Sequence, residues 1–210
     1  MTLPAAVLFD MDGTLVDTER VWWRAVEQVA DRALLPRDAE HVTGQAIPTT
    51  AAWLAGLDAR PVDLLERELE KAFLAGVRAD LVVLPGVPAV LDLLRVLGIP
   101  AALVSASPRS VVDVVMEVLG PALFTCSVAE GETVRTKPFP DPYLAAAEAL
   151  HVDITQCLAV EDSVPGSRSA QDAGATVLLA PAAAADDRFR QVGSLEDLDE
   201  ILLRELLIGT

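Results

Sequence analysis

The sequence predicts an α/β protein: a doubly wound parallel sheet in a Rossmann-like core, with a small all-helical segment inserted after the first strand. Three observations carry this. A short apolar run, Val7-Leu8-Phe9, stops at two carboxylates, Asp10 and Asp12, as expected for a strand covered on both faces. Beyond residue 84, segments with helical apolar spacing alternate with brief apolar runs, the pattern of parallel strands joined by right-handed crossovers. Between residues 17 and 83 only helical periodicity recurs.

Taken in order, the first strand delivers Asp10 and Asp12 at its carboxyl end, where open α/β sheets gather their ligands. If extended geometry persists for two residues, side chains at i and i+2 point to one side, so both carboxylates face the same point; Gly13 then supplies the turn. Thr18 precedes an amphipathic, N-capped helix running to about Leu34 through Trp22, Val26, Val29, Ala30 and Ala33. Further helices are expected over 51–57 and 62–73. Leu84-Pro85-Gly86-Val87 breaks the pattern and reads as a hinge. Helix 88–97, strand 100–105, helix 110–119, strand 126–128, helix 142–150, strand 157–161, helix 164–173, strand 176–179 and a last helix over 195–206, opened by an N-cap box at Ser194 and Asp197, complete the chain. Ala180 to Ala185 reads as a loop edge. The expected domains are a core of residues 1–16 and 84–210 and a helical cap of residues 17–83, which would sit above the strand ends.

At 210 residues, 52% hydrophobic and 23% charged, the chain buries roughly 70% of its unfolded surface by size scaling. It therefore needs no disulfide or structural metal to fold. Cys126 and Cys157 form no Cys-x-x-Cys pair, which fits reduced thiols in a cytoplasmic protein. No apolar run reaches the ~18 residues of a membrane span. A net charge of −16 opposes binding to nucleic acid, which depends on Lys and Arg neutralising phosphates. The expected protein is a cytoplasmic monomer; an anionic ligand would require local positive charge from a few side chains or a divalent cation.

Polar residues that the apolar strands do not need stand at several strand ends: Asp10 and Asp12, Ser105, Lys137 after a loop, and Glu161-Asp162. A doubly wound sheet can converge them on one crevice. Each also has a plain structural alternative: a turn residue for the aspartates, a helix cap for Ser105, a solvated charge for Lys137, a dipole partner for Glu161-Asp162.

Four segments in order resemble the motifs of the haloacid dehalogenase-like superfamily, in its phosphatase branch with a small helical cap: Asp10-Met-Asp-Gly-Thr14, Val104-Ser-Ala-Ser107, Lys137-Pro-Phe-Pro-Asp-Pro142 and Val160-Glu-Asp-Ser163. The resemblance covers nearly the whole chain. It implies that Asp10 is a nucleophile forming an aspartyl-phosphate and that Asp12 is the general acid and base, its backbone carbonyl also a metal ligand. It further implies a Mg²⁺ site of Asp10, Asp12, Asp162 and Glu161, with Ser105, Ala106 and Lys137 holding phosphate oxygens. Gln45, Trp22, Trp53, Ser107 and Arg109 are weaker candidates for substrate contact.

The family's activities differ. A dehalogenase has no use for the second acid that Asp12 provides. The related β-phosphoglucomutase-like branch carries a cap histidine and a cap arginine where this chain has Trp22 and Ile47, and a cap cation would grip the distal phosphate of a bisphosphorylated intermediate. The resemblance therefore implies a Mg²⁺-dependent phosphatase acting on a small phosphorylated metabolite, such as a sugar phosphate. A mutase and a silent metabolite-binding protein are the alternatives.

Overall fold

The computed structural model describes residues 3–181 and 188–206. Six parallel strands form the main sheet: β1 (Ala6–Phe9), β4 (Ala101–Val104), β5 (Cys126–Val128), β6 (Cys157–Glu161), β7 (Thr176–Leu179) and β8 (Arg190–Gln191), in the order β5-β4-β1-β6-β7-β8. From β1 the chain steps outward through β4 and β5, then crosses back to β6 and continues the other way. The strand order thus reverses at β1 and β6, which lie side by side with Phe9 opposite Val160. Such a reversal opens a crevice at the strand carboxyl ends.

Side chains alternate across the sheet with period two. Val7, Phe9, Leu103 and Val160 face one layer, made by α4 (Val87–Leu97), α5 (Arg109–Leu119) and α8 (Glu200–Leu206). Leu8, Ala102, Val104 and Ala159 face the other, made by α6 (Asp141–Ala149) and α7 (Val164–Ala173). Both faces are dry, which is why these strands read as continuous apolar runs.

The insert contains α1 (Glu19–Ala30), a 3₁₀ turn (Pro36–His41), α2 (Ile47–Asp58) and α3 (Val62–Asp80). Val21, Trp22, Ala25, Val26 and Val29 of α1 pack on Leu65, Leu69, Phe73 and Val77 of α3. Residues 17–83 are not wholly helical, however. Val16–Asp17 (β2) and Val82–Val83 (β3) pair antiparallel, and Leu84 N–H donates to the Leu15 carbonyl at 3.0 Å. The insert is therefore joined to the core by a two-stranded ribbon just ahead of the Pro85-Gly86 turn, a long-range pairing with no local periodicity to announce it.

Two other expectations need correction. The 195–206 segment is a 3₁₀ turn (Leu195–Asp197) followed by α8; Ser194 Oγ accepts from Glu196 N–H and Asp199 restarts the chain by accepting from Leu202 N–H at 2.8 Å. β8 was not anticipated. The loop reading of Ala180 to Ala185 falls mostly outside the described residues. Among the described residues no helix is long and apolar enough to cross a membrane, and both cysteines are free thiols.

Candidate active site

Asp10 and Asp12 leave the end of β1, Ser105 the end of β4, and Glu161-Asp162 the end of β6. The loop after β5 brings in Lys137. The structure gathers all of these into one crevice.

Lys137 is its electrostatic centre. Its buried ammonium donates to Asp10 Oδ1 at 2.7 Å, Glu161 Oε1 at 2.6 Å and the Val104 carbonyl at 2.9 Å. Tyr143 Oη donates to the same Glu161 oxygen at 2.6 Å, and Ser163 Oγ donates to Glu161 Oε2 at 3.1 Å. Burial works against the charge on Lys137, but Asp10 and Glu161 outweigh it and hold its pKa above the ordinary lysine value. Burial first, then the negative charge of Glu161 and Asp10, raises the Tyr143 phenol, which keeps it a neutral donor.

The carboxylates exceed what one lysine neutralises. Oxygens of Asp10, Glu161 and Asp162 lie within 4.8 Å of one another. Three carboxylates against one ammonium leave a formal surplus of two negative charges. Burial, with help from Glu161, Asp162 and Asp12 and against Lys137, pushes the Asp10 carboxyl well above the usual range. Burial and Glu161 push Asp162 up to about 7, again against Lys137. Asp10 Oδ2 is buried with no hydrogen-bond partner among the described residues, an expensive arrangement for a polar atom. An all-oxygen donor set with surplus negative charge and an orphaned carboxylate oxygen fits a hard divalent cation such as Mg²⁺. Glu161 fits less directly than expected, because both of its oxygens already accept bonds from protein donors.

Asp12 stands apart from the lysine. Thr18 Oγ1 donates to its Oδ1 at 2.6 Å, while the hydroxyls of Ser105 and Ser107 each donate to Oδ2 at 2.9 Å. Ser105 Oγ also accepts from Ser107 N–H at 2.9 Å, folding the 105–107 loop around Asp12 with Ala106 exposed at its apex. Thr18 makes no side-chain cap for α1: its hydroxyl is spent on Asp12.

The weaker candidates separate. Ser107 is in the crevice. Trp22 is buried in the insert, edge-on to Phe73 with ring centroids 5.3 Å apart, and its Nε1 donates to the Val42 carbonyl; it faces no crevice. Trp53 stacks on His41, and the Gln45 amide donates to the Glu40 carbonyl. Arg109 grips Glu132 through Nε at 2.7 Å and Nη2 at 2.5 Å, and Nη1 donates to Ser127 Oγ at 2.8 Å, so its charge is already used. Apolar periodicity and surface charge could not distinguish these uses.

Residues for which the sequence suggested only a structural part, or none, complete the site. Thr18 looked like a helix cap and Tyr143, the chain's sole tyrosine, like a helix-core residue. Gly13 and Gly166 hold space: with φ of +85° at Gly13, a Cβ there would strike Asp162, and one at Gly166 would strike the Glu161 carboxylate.

A family model of haloacid dehalogenase-like hydrolases matches residues 4–174. The chain belongs to that family. It is 31% identical over 202 residues to hexitol phosphatase A of Escherichia coli K12, covering 92% of this chain and 91% of that one. A crystal structure of a family hydrolase from Deinococcus radiodurans R1 with bound phosphate and sodium superposes with a TM-score of 0.74 at 28% identity, covering all of both chains. CbbY from Rhodobacter sphaeroides, solved with phosphate, shares the fold at a TM-score of 0.83 and 24% identity, over 96% of this chain and 100% of that one.

Proposed function

We propose that this chain is a Mg²⁺-dependent phosphatase that hydrolyses a small sugar-phosphate monoester through a phosphoryl group held transiently on Asp10. The observation carrying this reading is Asp10 itself: one carboxylate oxygen fixed by Lys137, the other buried without a hydrogen-bond partner among the described residues, at the reversal point of the sheet. A family whose relatives include a hexitol phosphatase supports the substrate class.

Asp10 and Asp162 would hold the ion, with Glu161 adding charge behind them; when bound, it withdraws charge from the phosphoryl oxygens and leaves phosphorus open to attack. Asp10 attacks phosphorus as the bond to the leaving oxygen breaks. Asp12 gives that oxygen its proton, then takes one from water as the water attacks phosphorus and the bond to Asp10 breaks. Lys137 stabilises the charge that builds on the transferring group, and Glu161, Tyr143 and Ser163 keep the lysine in place. Ser105, Ser107 and the 105–107 backbone are positioned to receive phosphoryl oxygens once Asp12 turns toward the leaving group. Residues 17–83 act as a cap over this crevice, linked to the core by the β2–β3 ribbon.

Uncatalysed phosphomonoester hydrolysis is slow enough that enzymes gain up to ~10²¹-fold. Asp12 supplies about 10²–10⁴ of that, so positioning and charge stabilisation supply the rest. The mutase reading loses its handle, because Trp22 is buried in the insert and offers nothing to a second phosphate. The test is phosphate release from a panel of sugar and polyol phosphates, with and without Mg²⁺, in wild type and Asp10→Asn. The reading expects Mg²⁺-dependent release that the variant lacks; isomerised phosphosugar without release contradicts it.

A further inference from the structure

A lysine ammonium has three N–H bonds to give, and Lys137 spends all of them: on Asp10, on Glu161 and on the Val104 carbonyl. Where the ammonium sits is therefore fixed by where those acceptors stand. The Val104 carbonyl is backbone at the end of β4, and Asp10 is the residue that the lysine serves. Glu161 is the acceptor with an alternative. Its oxygens lie within 4.8 Å of those of Asp10 and Asp162, so by distance alone it could turn to a metal ion held there and leave the lysine.

Its hydrogen bonds oppose that turn. Oε1 accepts from Lys137 and from Tyr143 Oη, both at 2.6 Å, which occupies both lone pairs of that oxygen. Oε2 accepts from Ser163 Oγ at 3.1 Å, a hydroxyl that itself accepts from Gly166 N–H and so caps α7. Tyr143 stands six residues past Lys137, in the first turn of α6. It is fully buried in the layer that includes Leu8, Ala102, Val104 and Ala159. The Lys137 ammonium lies over its ring, 5.2 Å from the centroid. Ring and hydroxyl thus touch both members of the Lys137–Glu161 pair. A tyrosine buried only for its bulk also needs a partner for its hydroxyl; this one takes the carboxylate on which the lysine depends.

We infer that Tyr143 is a positioning residue whose hydroxyl holds Glu161 on Lys137 and keeps that carboxylate from ligating the metal ion, leaving Asp10 and Asp162 as the side-chain ligands. This rests on the phosphatase reading, with its Mg²⁺ ion, and deepens it. Groups behind a metal site set the orientation of the carboxylates in front of them. Without the phenol, Oε1 regains a lone pair in a dry site where the cation is the strongest partner on offer. Glu161 then turns to the ion, and the lysine loses an acceptor.

The test is calorimetric Mg²⁺ binding to wild type, Tyr143→Phe, Glu161→Gln and the double variant, with turnover measured beside it. Phenylalanine keeps the ring and removes the hydroxyl. Tyr143→Phe should bind Mg²⁺ about tenfold more tightly while kcat falls about tenfold, two changes of opposite sense that a loss of packing would not produce. In the Glu161→Gln background, removing the hydroxyl should leave Mg²⁺ affinity unchanged, because the amide brings no charge to the ion. Unchanged or weaker Mg²⁺ binding by Tyr143→Phe, a gain that persists beside Glu161→Gln, or a wild-type kcat overturns the inference. Should a variant not fold, wild type decides: Tyr143 is the sole tyrosine, so ¹³Cζ labelling gives one signal, through which its hydroxyl proton should stay protected from exchange at saturating Mg²⁺. Protection lost on adding the ion refutes the assignment. Phosphate release by wild type judges the phosphatase reading separately: with no release from any phosphomonoester that reading falls, while the Mg²⁺ affinities still decide this one.

Discussion

Gly166, in the first turn of α7, stands directly against the Glu161 carboxylate, so close that a Cβ would collide with both oxygens. The carboxylate it accommodates is fully buried and anchors Lys137. The site's charge balance therefore depends on a residue that carries no side chain.

Gly166→Ala separates this packing role from helix propensity by sign. In a helix, alanine alone would stabilise by about 1 kcal/mol. Collision with Glu161 instead costs about 1–3 kcal/mol, so the melting temperature should fall by several degrees and phosphatase activity should drop with it. Thermal unfolding beside phosphate release checks both; a more stable, fully active variant would show that Glu161 has room to move.

Removing the ammonium should be felt most without metal. Lys137→Met leaves Asp10 and Glu161 buried without their shared cation, and breaking a buried pair costs about 3–5 kcal/mol. Mg²⁺ should restore much of that stability, because it supplies positive charge to the same carboxylates. It should not restore activity, which is expected to fall by about 10²–10³-fold. Melting curves with EDTA and with Mg²⁺, read beside turnover, separate the two roles.

The pH dependence of the metal-free protein follows from the raised carboxyls. Asp162 titrates at about 7 in the folded chain, well above the ordinary aspartate value of about 4. Between those values the folded state holds a proton that the unfolded chain has released, so stability falls as pH rises. The contribution is fully present below about pH 4 and lost as pH passes about 7. Asp162→Asn should flatten this part of the profile. Mg²⁺ needs the deprotonated carboxylate, so its affinity should rise with pH across the same window. Melting temperatures from about pH 5 to about pH 7.5, with and without Mg²⁺, measure both effects.

Asp12→Asn should preserve the fold and lose the chemistry. Asparagine keeps one acceptor and presents an NH₂ that the serine or threonine hydroxyls can accept, so the melting temperature should stay near wild type. Proton transfer to the leaving oxygen is lost, with an expected fall of about 10²–10⁴-fold. The fall should be smaller for a leaving group of low pKa, such as p-nitrophenol; an equal loss for both kinds of substrate would argue against Asp12 as the acid.

Much of the architecture was legible because it is written locally. Val7 to Phe9 ending at Asp10 and Asp12 marks a strand and its working end, and alternating periods mark the crossovers that set the strand order. What was not legible depends on distant partners. The pairing of Val16–Asp17 with Val82–Val83 joins segments more than sixty residues apart. Thr18 sits where a cap belongs, yet its hydroxyl goes to Asp12. Trp22 and Arg109 carried the surface chemistry of ligand contacts, but core packing against Phe73 and the Glu132 carboxylate claimed them first. Tyr143 and Gly166 gave no sign, because their roles exist only once Glu161 is buried between them.

The most direct test of the central claim is whether phosphorus passes through Asp10. Wild-type protein mixed with a ³²P-labelled hexitol phosphate and Mg²⁺, acid-quenched within one turnover, should carry label on the peptide containing Asp10, and Asp10→Asn should carry none. Phosphate release at full rate from Asp10→Asn, or label on any other residue of the wild type, would contradict the account.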